Sequence, residues 1–508
     1  MLATNFSASF NASLADEAAT RGLAVDLAGI LEPGDLVTLS GDLGAGKTAF
    51  ARALIRHLAG SEHLEVASPS FNLMQSYELP RFPVVHGDLY RLTGPADLIE
   101  LGFEDLPANA VTLLEWPDRA AGLLPSDRFD VSLSLSPSHG DSFRQARVSG
   151  YGRCALRVER IAAVRRFLEA SGYTQARRER LAGDASTRSY ERLSKDGRTV
   201  LLMSCPRRAD GPPVRDGKPY SAVAHLAEDI SPYLALGRAL RERGFSAPQI
   251  LAADHEAGFA IVEDFGDEFI ASNAAPVEER YEAAIDVLLS LHRLALPAQV
   301  PVAPGVDHTL PRYDLGALLI EAELLPDWFL PRLQVRLTSQ ARAQYVALWR
   351  EALAPALNAP ATWLLRDFHS PNLMWLADRS GIQRVGLLDF QDAVIGPGAY
   401  DVASLLQDAR VDVPEMMELS LLSRYTRARL NEPGFDAAEF ARLYATMGAQ
   451  RASKILGIFA RLDKRDGKPQ YLRHMPRVWT YLQRSLAHPA LADLRAWYTT
   501  HVPALKSI

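Results

Sequence analysis

The sequence predicts an α/β domain at the start of the chain, followed by a small β-rich lobe and a larger helical lobe. Over roughly the first 135 residues, short apolar runs alternate with helical stretches, which is the pattern of an α/β sheet. From about residue 174 to about 205 the chain has the pattern of strands separated by turns, and beyond about residue 275 helical periodicity dominates. We therefore expect domains at residues 1–150, 158–270 and 271–508.

The composition is that of an ordinary globular protein. The 508 residues are too many for one hydrophobic core, and 48% of them are hydrophobic. The formal net charge of −6 argues against strong direct binding of nucleic acid. Two cysteines, Cys154 and Cys205, exclude a disulfide framework and a four-cysteine zinc site. Because the chain has neither an export signal nor a long apolar run, we expect a cytoplasmic protein with no membrane segment.

Residues 41–48 read Gly-Asp-Leu-Gly-Ala-Gly-Lys-Thr, which is the Walker A pattern of a P-loop. A predicted strand, Leu36–Ser40, precedes the motif, and a predicted helix opens at Lys47. Glycines allow backbone N–H groups to turn toward phosphate, while Lys47 neutralises the phosphates and Thr48 offers its hydroxyl to magnesium. The alternative is a glycine-rich turn without a ligand. The expected nucleotide-binding residues are Gly41, Asp42, Gly44, Ala45, Gly46, Lys47 and Thr48.

Two carboxylates, Asp88 and Glu115, lie at or just after the ends of predicted strands in the same domain. Ligands of open α/β sheets bind at those strand ends. A carboxylate there can hold magnesium directly or through water. Either residue could instead cap a helix or face solvent.

These motifs, with Ser68–Phe71, His86–Leu92 and Leu114–Pro117, resemble the bacterial TsaE family, the ATPases of tRNA threonylcarbamoyladenosine biosynthesis, over roughly residues 10–140. The resemblance implies ATP and Mg2+ as cofactors, with Asp88 as a catalytic residue and Glu115 as a metal ligand. It places Ser70, where the family usually carries threonine, in a switch segment. It also implies partner proteins resembling TsaB and TsaD, and slow ATP hydrolysis by this domain alone.

A second set of polar residues follows the β-rich lobe: Asp367 and Asn372 in an Asp-x-x-x-x-Asn pattern, then Asp389 after an apolar strand. In phosphoryl transfer, the first aspartate accepts the proton of the attacking hydroxyl, and the other two residues hold magnesium on the triphosphate. Each residue alone is commonly a turn or cap residue. The ordered set favours a kinase site.

The β-rich lobe offers residues for the nucleotide. The turn Gly183–Ser189 could close over phosphates, with Ser186 and Thr187 as donors and Arg188 as a cation, or it could be a plain hairpin turn. The run Ala260–Gly266, which includes Glu263, resembles a strand leading into an interlobe hinge that binds adenine. A plain core strand explains the run nearly as well.

Over about residues 160–490 these features resemble the aminoglycoside phosphotransferase-like kinases, and more closely the AmgK-type anomeric kinases. The resemblance implies a two-lobed, protein-kinase-like α+β domain that transfers the γ-phosphate of ATP to the anomeric hydroxyl of N-acetylmuramate or N-acetylglucosamine in cell-wall recycling. It also implies that Glu323, Asp327 and Trp328 lie near the acceptor. The sequence departs from the pattern at Met203, where a protein kinase carries lysine, and at Leu365, where the superfamily usually carries histidine. Arg188 is the expected replacement for the lysine.

The complete prediction is a bifunctional fusion: an α/β P-loop NTPase domain followed by a sugar kinase of the aminoglycoside phosphotransferase fold. An alternative is that the kinase-like half is a non-catalytic module that binds a sugar or nucleotide and regulates the ATPase. The retention of Asp367, Asn372 and Asp389 argues against it, because a pure binder has no need of a catalytic carboxylate. A third hypothesis, a small-molecule kinase of the P-loop class, is disfavoured by the absence of an arginine-rich lid.

Overall fold

The structure is a computed structural model that describes residues 7–503 except 70–72, 93–96, 98–106, 121, 137, 139–141, 182–187 and 208–210. The predicted roles of Ser70, Ser186 and Thr187 therefore fall outside the described residues. The chain divides into two compact units, Met1–Arg180 with Leu193–Gly197, and Leu181–Arg192 with Arg198–Ile508. Among the described residues, no helix is long and apolar enough to cross a membrane.

The first unit is built on one mixed sheet with helices packed against it. Its strands and helices are β1 (Ser7–Leu14), α1 (Glu17–Ile30), β2 (Leu36–Ser40), α2 (Lys47–Ala59), β3 (Met74–Tyr77), β4 (Val84–Asp88), β5 (Val111–Glu115), β6 (Arg128–Leu135), β7 (Arg144–Tyr151), α3 (Ala155–Ala170) and β8 (Arg177–Arg180). Seven strands form a sheet of order β1-β7-β6-β2-β5-β4-β3. The central strands β6, β2, β5 and β4 run parallel, and the outer pairs are antiparallel.

The predicted α/β class is confirmed for this unit, and the sheet places the P-loop at its centre. Strands β4 and β5 are buried along their whole length, as parallel strands covered on both faces are. Strands β1 and β7 were missed by the sequence prediction, although they pair over eight residues each. Their small and polar residues carry little hydrophobic signal, and one face of β1 is exposed.

Helix α3 is fastened to the first unit by ion pairs with two buried aspartates. Both Arg157 amino nitrogens lie 2.7 Å from the carboxylate of Asp35, whose side chain is 1% exposed. Arg165 of the helix and Arg178 of β8 both pair with Asp26, which is buried to the same degree. A buried carboxylate is stable only when it is paired and hydrogen-bonded, so these contacts fix where the helix lies.

The second unit has the two-lobed organisation predicted from the sequence. Its elements are β9 (Ser189–Lys195), β10 (Arg198–Ser204), β11 (Pro213–Arg215), β12 (Lys218–Pro219), α4 (Tyr220–Val223), α5 (Ser231–Glu242), β13 (Ile250–Asp254), β14 (Phe259–Glu263), β15 (Ala271–Ser272), β16 (Ala275–Pro276), α6 (Glu278–His292), β17 (Gln299–Ala303), β18 (Val306–Thr309), α7 (Leu315–Ala322), α8 (Leu330–Arg332), α9 (Ser339–Asn358), β19 (Ala361–Leu364), β20 (Leu373–Trp375), β21 (Val385–Leu387), β22 (Val394–Pro397), α10 (Ala399–Leu406), α11 (Glu415–Arg429), α12 (Ala437–Asp466), α13 (Met475–Leu486) and α14 (Ala492–His501).

Strands β13, β14, β10 and β9 lie side by side in that order and form the β-rich lobe. The helical lobe encloses two short antiparallel pairs, β19 with β22 and β20 with β21, and the loops that follow β19 and β21 carry the predicted kinase residues. The long helix α12 packs against the segment that follows α7. A Cβ on Gly457 would lie 2.4 Å from the backbone of Leu324, so only glycine permits this close approach.

Candidate active sites

The loop between β2 and α2 has the backbone of a phosphate-binding loop. Gly41, Gly44 and Gly46 have φ angles of 133°, 79° and 103°. A Cβ on Gly41 would lie 2.0 Å from the carbonyl oxygen of Leu133, so a larger residue cannot occupy the position. Gly46, in the left-handed region, is the N-cap of α2. The loop therefore ends at a helix N-terminus, where free N–H groups and the helix dipole attract phosphate.

The side chain of Lys47 lies directly over this loop. Its Nζ donates hydrogen bonds to the carbonyl oxygens of Gly41 at 2.7 Å and of Asp42 at 2.9 Å, and it lies 3.7 Å from the ring centroid of Trp116. A hydrogen bond from the Ala45 N–H to the same Asp42 carbonyl closes the loop. Burial lowers the pKa of Lys47, while the neighbouring carboxylates oppose the shift. The ammonium is thus placed to pair with bound phosphates.

The structure brings Thr48, Asp88 and Glu115 to one edge of the sheet. Asp88 and Glu115 are opposite each other at the ends of the parallel strands β4 and β5. The Thr48 hydroxyl donates to Glu115 Oε2 at 2.9 Å. One oxygen of Asp88 accepts from the Ser68 hydroxyl at 2.6 Å, and the other accepts from the Tyr90 N–H at 3.0 Å. Both carboxylates therefore have defined orientations.

The side chain of His86 also lies at this candidate site, although no role was predicted for it from the sequence. Its imidazole is fully buried, and Nε2 lies 3.0 Å from Glu115 Oε1. With Thr48 on the other oxygen, both oxygens of Glu115 are held. His86 lies two residues before Asp88 on β4, and alternate residues share a face of a strand. That spacing was the signal in the sequence that could have identified it.

The donor set of the first unit fits magnesium. The Thr48 hydroxyl and the Glu115 carboxylate are oxygen donors, and Mg2+ is usually bound in proteins by one or two carboxylates together with nucleotide phosphates. Thr48 and Glu115 would hold the ion here, with Asp88 beside them. Among the described residues, no group of three or more His, Cys, Asp and Glu side chains suited to a metal ion is found.

In the second unit the structure brings together Asp367, Asn372 and Asp389. The Asn372 amide donates to the backbone oxygen of Asp367 at 3.0 Å and to Asp389 Oδ2 at 3.4 Å. The amide oxygen of Asn372 and the carboxylate of Asp389 are suitable donors for magnesium on a triphosphate. The Asp367 side chain is 36% exposed, so it is open to an acceptor.

The backbone at this site is strained and is held by a buried carboxylate. Arg366 and Asp389 have φ angles of 62° and 57°, which cost non-glycine residues roughly 1–3 kcal/mol each. The carboxylate of Asp401 accepts hydrogen bonds from the N–H groups of Leu365 at 2.7 Å and of Arg366 at 3.0 Å. Asp401 therefore maintains the turn that presents Asp367.

Cations surround Asp367. Burial opposes its ionisation, but the positive charges of Lys454, His369, Arg451 and Arg366 outweigh that effect and lower the pKa of Asp367 to about 2. The carboxyl group is therefore ionised throughout the physiological pH range. It can orient an acceptor hydroxyl and take its proton late in the reaction, when the oxygen has become acidic.

Arg188 faces the predicted metal ligand. Its guanidinium pairs with Asp389 and with the side-chain oxygen of Gln391. Burial opposes the charge of Arg188, but Asp389 more than offsets this and raises its pKa. Met203, which replaces the kinase lysine, is buried in the hydrophobic core. The position of Arg188 therefore suits the role predicted for it as the replacement cation.

Glu263, which was predicted to bind the nucleotide, forms ion pairs with two arginines. Glu263 pairs with Arg379 at 2.5 Å and with Arg241 at 3.3 Å, at the end of β14. Its part in nucleotide binding stays a prediction.

The residues predicted near the acceptor form an ion cluster of their own. Glu323 pairs with Arg215 at 2.6 Å and with Arg342 at 3.1 Å, and Asp327 pairs with Arg342 at 2.5 Å. Trp328 packs against the hydrophobic core. No described ion pair or hydrogen bond joins these three side chains to Asp367, and their place near the acceptor stays a prediction.

Fold and sites together define a P-loop ATPase domain joined to a phosphotransferase domain of the protein-kinase type. A family model described as threonylcarbamoyl adenosine biosynthesis protein TsaE matches residues 14–144. A model of the phosphotransferase enzyme family matches residues 177–445, more than half of the chain. The chain belongs to the TsaE family through its first part and to the phosphotransferase enzyme family through its second.

Curated relatives agree with this division. An N-acetylmuramate/N-acetylglucosamine kinase of Caulobacter vibrioides is 40% identical over 365 residues, which cover 68% of this chain and 98% of the relative. A kinase of the same name from Pseudomonas aeruginosa is 34% identical, over 62% of this chain and 85% of the relative. The tRNA threonylcarbamoyladenosine biosynthesis protein TsaE of Rickettsia bellii is 42% identical over 122 residues, or 24% of this chain and 84% of the relative. Both family predictions are confirmed.

We predict that Arg188→Met weakens binding of MgATP to the second unit by about 10- to 100-fold, because a charge-assisted contact to the phosphates and Asp389 is lost. Calorimetric titration in a Lys47→Ala background isolates this site. Arg198→Met, at an exposed position in the same lobe, is the matched control and should bind as before. Equal affinities in the Arg188 and Arg198 variants would contradict the role assigned to Arg188.

Proposed function

We propose that the protein carries two ATP-dependent activities. The first unit hydrolyses ATP in the biosynthesis of threonylcarbamoyladenosine in tRNA, and the second phosphorylates the anomeric hydroxyl of N-acetylmuramate and N-acetylglucosamine. The observation that carries the kinase assignment is the Asp367–Asn372–Asp389 set. It lies in a chain whose match covers 98% of a relative named as such a kinase. The observation that carries the ATPase assignment is the P-loop with Thr48 hydrogen-bonded to Glu115.

In the kinase reaction, the anomeric oxygen of the sugar attacks the γ-phosphorus of ATP. A bond forms between these atoms, the bond from the γ-phosphorus to the β–γ bridging oxygen breaks, and ADP leaves. Asp367 orients the hydroxyl and takes its proton. A hemiacetal hydroxyl is more acidic than an ordinary alcohol because the ring oxygen withdraws electrons, which suits a weakly basic carboxylate such as Asp367.

The remaining residues bind and position the nucleotides. Asn372 and Asp389 would hold Mg2+, which would neutralise charge on the triphosphate, and Arg188 would pair with the phosphates. In the first unit, the P-loop and Lys47 would bind the phosphates. Thr48 and Glu115, the latter held by His86, would hold Mg2+, and Asp88, held by Ser68, would orient the attacking water.

The two activities imply different partners. The ATPase unit would act with TsaB-like and TsaD-like proteins in the cytoplasm, and the kinase unit would take a small amino sugar from cell-wall turnover. A non-catalytic, regulatory second unit is not favoured. The hydrogen bonds to Asp401 hold a strained loop that presents Asp367, and sugar binding alone does not require this backbone strain.

We predict that the protein with MgATP and N-acetylmuramate forms an acid-labile sugar 1-phosphate. Asp367→Asn should abolish the product because the proton acceptor is lost, whereas Lys47→Ala should leave it unchanged because that residue serves the other unit. Phosphorus NMR identifies an anomeric phosphate directly. If neither amino sugar yields one, the kinase assignment is wrong.

We predict that the gene restores threonylcarbamoyladenosine in the tRNA of a strain that lacks its own TsaE. The Lys47→Ala variant should fail, because the P-loop loses the cation that neutralises the phosphates. The Asp367→Asn variant is the matched control and should restore the nucleoside fully. Mass spectrometry of tRNA digests measures it, and rescue by the Lys47 variant would contradict the assigned mechanism.

A further inference from the structure

A buried arginine with an unpartnered N–H donor lies beside Asp367 in the second unit. Arg451, on α12, is 6% exposed, and its nearest paired carboxylate oxygen, Asp367 Oδ1, lies 4.0 Å away, beyond hydrogen-bond distance. Its Nε is buried and has no hydrogen-bond partner among the described residues. A buried N–H donor without an acceptor is costly, so an unpartnered Nε beside the reacting carboxylate points to a ligand.

Two other cations near Asp367 already have a carboxylate partner. Lys454, one turn further along α12, lies 2.8 Å from Glu321, and the Arg366 guanidinium pairs with the same carboxylate. Burial lowers the pKa of His369, so its imidazole is a weaker permanent cation than an arginine. By contrast, the carboxylate oxygen that pairs with Arg451 is 4.0 Å away.

We infer that Arg451 binds the carboxylate of N-acetylmuramate and so determines the preference between the two amino sugars. This inference rests on the proposed function. N-Acetylmuramate differs from N-acetylglucosamine by a lactyl ether on C3 that ends in a carboxylate. A guanidinium presents paired N–H donors that match a carboxylate, and the Nε of Arg451 has no partner among the described residues.

The placement of Arg451 agrees with the geometry of the sugar. Asp367 marks the position of the anomeric hydroxyl on C1, and C3 is separated from C1 by a single ring carbon. A group on C3 is therefore held close to the reacting oxygen, as Arg451 is held close to Asp367. The Asp367 side chain is partly exposed, so a sugar can reach this end of the site.

The experiment compares kcat/KM for N-acetylmuramate, its neutral methyl ester and N-acetylglucosamine in the full-length protein. In the wild type, the methyl ester should be a poorer substrate than the acid by about 10- to 100-fold, mainly through KM. Arg451→Met should lower kcat/KM for N-acetylmuramate by a similar factor and should remove the discrimination against the ester. Because Arg451 also contributes to the charge around Asp367, any change in kcat should be shared by both sugars, whereas the rise in KM should be confined to N-acetylmuramate. Continued phosphorylation of N-acetylglucosamine also reports that the variant is folded.

Arg442→Gln, on the same helix but paired with Glu439 at its surface, is the matched control and should behave as the wild type. Wild-type protein that uses the acid and its ester equally well would overturn the inference, without any need for the variant. Equal losses for both amino sugars in Arg451→Met would also overturn it, since they would indicate a role in phosphoryl transfer. Failure of the wild type to phosphorylate either sugar would instead refute the proposed function.

Discussion

The catalytic loop of the second unit depends on one buried carboxylate, that of Glu321. The side chain is fully buried and contacts Arg366 of the loop, Lys454 of α12 and the hydroxyl of Tyr313. Burial opposes its ionisation, but Lys454 and Arg366 lower the pKa of Glu321 to about 2. Removing this charge would leave two buried cations without compensation, which is among the most destabilising changes a core can undergo. Three segments that are distant in sequence therefore contact the same carboxylate.

Helix α12 links this charge balance to the surroundings of Asp367. Its close approach to the backbone of Leu324, which requires Gly457, sets the helix against the segment that carries Glu321. Lys454 can then neutralise Glu321, while Arg451 reaches the neighbourhood of Asp367. The same packing that stabilises the fold therefore supplies the positive charge that keeps Asp367 ionised.

The structure brings together many of the residues predicted for the two candidate sites, and the sequence could indicate these groupings where the motifs are short. The P-loop and the Asp367–Asn372 pair are short motifs whose chemistry depends on local spacing. The contacts that complete them were not predictable, because they join residues far apart: Arg188 with Asp389, and Lys454 with Glu321. Strands β1 and β7 were not predicted from the sequence for a different reason: their small and polar residues give no clear hydrophobic alternation.

The central claim is that one chain has two separate sites for ATP. The most direct test is calorimetric titration of the protein with Mg2+ and a slowly hydrolysed ATP analogue. The account predicts two nucleotides bound per wild-type chain, with one site lost in Lys47→Ala and the other lost in Asp389→Ala. A single nucleotide per wild-type chain, or the loss of both sites through either substitution alone, would contradict it.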